Sequence, residues 1–64
     1  MTQSLEQLRR LKNTIMGAGH RLTVLARSGE LPPESEVELR ALSSELADVV
    51  GRLERLLTRL RQDR

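Results

Sequence analysis

A chain of 64 residues without cysteine or any aromatic residue must build its core from Leu, Val, Ile, Met and Ala alone. Disulfides are excluded, a closed zinc site would need several Cys and His ligands where a single His stands, and no 18-residue apolar run is present to span a bilayer. The net charge is only +2, and a domain this small ordinarily needs a covalent staple, a metal or a second chain, so association is the route left open.

The opening stretch "MTQSLEQLRR" lacks the charged-then-apolar layout of a secretory signal. With the absence of cysteine, this predicts a soluble cytoplasmic protein, and the Leu-, Arg- and Ala-rich, Lys-poor usage has a bacterial or phage character. One all-α domain is expected over 1–64. From Leu8 the apolar positions run Leu8, Leu11, Ile15, Ala18, Leu22 and Leu25, in alternating steps of three and four: the a/d stripe of a heptad. They predict a first helix over about 3–28, with Ser4 and Gln7 placed for a capping box.

The stripe ends in "ARSGELPPES". Gly29 suits the left-handed position after a helix, and Pro32 and Pro33 stop the helix from continuing, so 29–33 is the turn. A second helix over about 34–62 opens at Pro33 or Ser35, where Ser35 and Glu38 give the S-x-x-E pattern. Its stripe is Leu39, Leu42, Leu46, Val49, Leu53, Leu56 and Leu60, widened by Val50 and Leu57 at position e.

Folding back at the turn sets Leu25 against Leu39, Leu22 against Leu42, Ala18 against Leu46, Ile15 against Val49, Leu11 against Leu53 and Leu8 against Leu56. Every pair sums to 64, so one register serves all a/d layers. The expectation is an antiparallel helical hairpin. Val50, Leu57 and the breadth of the leucine face would remain wet in a lone hairpin, which predicts that two hairpins pair into a four-helix bundle, most simply a homodimer.

The charges are segregated. Residues 1–28 carry a formal +4, residues 29–48 a formal −5 and residues 49–64 a formal +3, which makes the open end basic and the turn end acidic. Arg9, Arg10, Lys12, Arg52, Arg55 and Arg59 are the residues that would contact nucleic acid if the basic end did so. No aromatic is available to stack on a base, which counts against recognition of single-stranded RNA.

Gly17 and Gly19 interrupt the first helix, each weakening it by about 1 kcal/mol relative to Ala. Gly19, at e, flanks the core, while Gly17 at c and the lone His20 at f point away from it. Met16, Gly17, His20 and Val24 are therefore the candidate contacts for a protein partner. No catalytic, cofactor-binding or metal-ligating residue is assigned.

Three resemblances bear on function. "GHRLTVL" resembles the histidine box of kinase dimerisation hairpins but lacks an acid directly after the histidine. "LRALSSELADVV" resembles the Ser-Gln-Glu-Leu-Asp motif of small hairpin phosphatases that act on a response regulator. Ser43, Glu45 and Leu46 match, Ser44 replaces Gln, and Ala47 stands where that family has its Asp, with Asp48 turned by about 100°. In size and architecture the chain is also similar to plasmid RNA-binding hairpin dimers. The residues themselves favour a non-enzymatic, self-associating hairpin that binds a protein partner through its helix faces. A nucleic-acid-binding dimer is the alternative, and a phosphatase-like hairpin comes third.

Overall fold

In a computed structural model, which describes residues 2–62, the chain forms two helices, α1 (Thr2–Arg27) and α2 (Pro33–Gln62), laid against each other as a hairpin with Cα extents of 49 × 16 × 10 Å. Met1, Asp63 and Arg64, at the ends of the expected 1–64 domain, lie outside the described residues.

The turn is held by Ser28. Its amide donates to the carbonyl of Leu25 (3.2 Å), and its hydroxyl donates to the same carbonyl (2.8 Å) while accepting from the amide of Glu30 (3.2 Å). One side chain thus closes the C-terminus of α1 and fixes the start of the loop. Gly29 follows with φ at +78°, a conformation that Cβ-bearing residues adopt at a cost. Pro33 opens α2, and the amides of Ser35 and Glu36 donate to the carbonyl of Pro32 at 3.0 and 3.1 Å. Proline suits that first helical position because the amide it lacks would have no partner there. The two capping boxes are corrected accordingly: Ser35 and Ser4 both sit inside the first turn of their helices, not ahead of it.

The seam between the helices differs from the expected a/d layers. On α1 the residues turned inward are Leu5, Leu8, Lys12, Ile15, Gly19, Leu22 and Ala26; on α2 they are Glu36, Leu39, Ser43, Leu46, Val50, Leu53, Leu57 and Leu60. These are positions a and e, joined by half-buried Thr23 at b and Gly51 at f. Leu11, Leu25, Leu42, Val49 and Leu56, expected at the seam, are instead 37–55% exposed, and Ala18 is exposed beside them. Val50 and Leu57 are corrected in the opposite direction. Val50 is half-buried, and Leu57, at 5% exposure, is with Ala26 a buried hydrophobic residue of the core.

The physical reason lies in side-chain size. Row e of α1 carries Gly19 and Ala26, and row e of α2 carries Ser43, so the backbones meet closely there. A Cβ built on Gly19 would lie 3.7 Å from the Cβ of Leu46 and 3.9 Å from the carbonyl oxygen of Ser43. The leucines of row d would hold the helices further apart. A polar node locks the same level. The hydroxyls of Ser43 and Thr23 donate to the carbonyl of Gly19 at 3.0 and 3.2 Å and lie 2.9 Å from each other. Near the open end the Lys12 ammonium reaches across to Glu54 at 3.8 Å, its stem covering the seam.

Substitutions at the glycines separate turn from helix. Nothing lies within 4 Å of a Cβ at Gly17, so Gly17→Ala is expected to stabilise the fold by about 1 kcal/mol in urea unfolding followed by circular dichroism. Gly29→Ala, forced into the left-handed region, is expected to cost about 1–2 kcal/mol. Truncating Leu57 to Ala is expected to cost about 2–5 kcal/mol in the same measurement.

Candidate interaction faces

Successive residues of a helix are separated by about 100°, so with a and e at the seam, rows d and b diverge to opposite sides. In an antiparallel pair, equivalent rows of the two helices emerge on the same side. The hairpin therefore has two broad faces, one built on d and one on b.

The d face carries Leu11, Ala18 and Leu25 from α1 and Leu42, Val49 and Leu56 from α2, all exposed. Among the described residues no charged residue occupies either row. Beside them on α2, row g holds Glu38, Glu45, Arg52 and Arg59, also exposed. A shallow concavity of about 450 Å³ runs along this edge, lined by Val49, Leu53 and Leu56 with Arg52, Arg55 and Arg59 around them.

The b face has a smaller groove of about 270 Å³ at the waist. Met16, His20, Thr23 and Ala47 line it, over a floor that includes Gly19, Ser43 and Val50. Its polar floor groups are already paired with one another through the Gly19 carbonyl, so the apolar surface of Met16, Ala47 and Val50 is what a ligand would meet.

The four residues expected to face a partner are divided by the structure. Met16 and His20 share the groove, whereas Gly17 and Val24, at position c, are exposed on the outer side of α1 and are not among its lining residues. The six basic candidates are dispersed as well. Arg52, Arg55 and Arg59 stay together on α2, Arg10 is exposed on α1, Arg9 lies 3.5 Å from Glu6, and Lys12 is paired with Glu54 with only 20% of its side chain exposed. Glu45 and Asp48, the acids next to the phosphatase-like stretch, are exposed and line none of these concavities.

Sequence reasoning missed Ser43 and Thr23. Their only signal was a serine on α2 at the level of a glycine on α1, with a threonine one turn beyond that glycine. Among the described residues no group of three or more His, Cys, Asp or Glu gathers as a metal site would require, and no helix is long and apolar enough to cross a membrane. No family, no curated protein and no solved structure matches the chain.

Proposed function

We propose that the chain is a non-enzymatic interaction module whose hairpins self-associate through the d face into a four-helix bundle, leaving the Met16–His20 groove outward for a protein partner. The observation that carries this reading is the uncharged double row of Leu11, Ala18, Leu25, Leu42, Val49 and Leu56, uncovered along one side of the hairpin. Soluble monomers rarely leave so long an apolar surface in water. Area supports the same reading. The hairpin exposes 5227 Å², whereas a compact monomer of its 7.3 kDa mass exposes about 4,200 Å². The excess of about 1,000 Å² is comparable with the roughly 800 Å² that each partner contributes to a standard interface.

Positions a and d then form the bundle core, e flanks the contact inside each hairpin, and g flanks the contact between hairpins. The small residues Gly19, Ala26 and Ser43 at e and the long charged residues at g of α2 fit those two different neighbours.

The test is solution mass by sedimentation equilibrium. The native chain is expected to be a dimer at tens of micromolar. Leu42→Gln with Leu56→Gln, both outside the intrachain seam, is expected to leave helicity intact and weaken the dimer at least about a hundredfold. A native chain that stays monomeric would overturn this reading. The grouping of Arg52, Arg55 and Arg59 on one stretch of α2 favours a second reading, contact with a nucleic-acid backbone. Binding to duplex nucleic acid that disappears between about 50 and about 200 mM salt would support it.

A further inference from the structure

Resting on self-association through the d face, we propose that the second copy docks with its turn at the opposite end, so that each helix lies antiparallel on its own counterpart. Identical faces meet about a two-fold axis in the plane between them, and two placements keep the helices nearly aligned. With the axis along the hairpin, both turns lie together and α1 covers α2 of the second copy. With the axis across it, the turns are opposed, α1 covers α1 and α2 covers α2.

Row g of α2 distinguishes the two. Read from the turn to the open end it is Glu38, Glu45, Arg52, Arg59: two acids, then two bases at the same spacing. Laid antiparallel on itself, this row places Glu38 opposite Arg59 and Glu45 opposite Arg52, and the two-fold axis repeats both pairs. Row g of α1, with Gln7, Thr14, Arg21 and Ser28, then meets itself with no like charges opposed. With the turns together, row g of α2 would face that weakly charged row instead. Glu45 would find Arg21, and the other three charges would meet Thr14, Gln7 and Ser28. Each exposed ion pair is weak alone. Four against two, with a charge row antisymmetric about its own centre, select the opposed placement, because complementary charge at an interface sets orientation more than strength.

The apolar rows obey the same symmetry. Row d of α2 brings Leu42 near Leu56 and Val49 near its own copy, and row d of α1 brings Leu11 near Leu25 and Ala18 near its own copy, with row a completing each layer. Leucine meets leucine at both ends, and the smaller residues meet at the waist.

Single cysteines report the placement directly, since the chain has none of its own. Under oxidised glutathione, Val49→Cys alone and Ala18→Cys alone are each expected to yield a covalent dimer. Cross-linking only when the two variants are mixed would place α1 over α2 and overturn the proposal, while a dimeric mass in the native chain would leave the self-association reading standing. A monomeric mass would remove both. A second arm reads charge. Glu38→Lys/Glu45→Lys makes row g of α2 wholly basic and Arg52→Glu/Arg59→Glu makes it wholly acidic, so each is expected to dimerise about tenfold more weakly than the native chain at low salt. Mixing them is expected to restore a heterodimer of native affinity. If the mixture associates no better than its components, the charge register is wrong.

Discussion

Two helices that touch each other have only one mutual face, and this chain has more apolar rows than one face can cover. Everything else in the structure follows from how that shortage is resolved. Row a is shared by every arrangement, and the choice lies between d and e as its companion. The hairpin takes e, where Gly19, Ala26 and Ser43 allow close backbone approach, and it leaves the leucines of d outside. The Gly19 carbonyl, receiving hydrogen bonds from Ser43 and Thr23, adds direction to a contact that leucine packing alone would leave free to slide.

Much of this was legible in the sequence. The steps of three and four mark helices, the glycine and two prolines mark the turn, and the stripes require the helices to face one another. The companion row was not legible, for a geometric reason. Leu8, Leu11, Ile15 and Leu8, Lys12, Ile15 both alternate three and four, so periodicity cannot tell d from e. The register test fails in the same way. The a/d pairs sum to 64, and the a/e contact of Gly19 with Leu46 belongs to an equally complete set that sums to 65. Hydrophobicity then favoured d, because Lys12, Gly19 and Ser43 look like poor core residues. Residue size was the better guide, since the closer of two contacts goes to the smaller side chains.

The charges were also read at too coarse a scale. A basic open end and an acidic turn end describe the rod, but the rod's charges lie on several faces. Lys12 is committed to Glu54 across the seam and Arg9 sits beside Glu6, which leaves the ordered sequence of Glu38, Glu45, Arg52 and Arg59 as the pattern lying along one edge of the d face. Bipolarity that is merely a dipole effect at helix ends would concentrate charge in the terminal turns, where the macrodipole acts. Here Glu45 and Arg52 lie in the middle of a 30-residue helix, several turns from either end. On the proposed pairing each finds its opposite charge on row g of the second copy.

The glycines of α1 can then be separated by what surrounds them. Gly19 is buried against Leu46 and Ser43 and lends its carbonyl to the polar node; the hairpin itself uses it. Gly17 meets nothing, and the intrachain fold gains nothing from it. The seam fully buries little, with Ala26 and Leu57 its only buried hydrophobics among the described residues, so on the proposed pairing mass action through a second copy adds a term comparable with the hairpin's own small stability. On the proposed pairing, folding and association are then one equilibrium. The weak helix former Gly17 carries the same cost of about 1 kcal/mol per chain in the lone hairpin and in the assembled bundle, and only the bundle has association free energy to offset it. The same residue that makes the lone hairpin marginal thereby steepens its dependence on concentration.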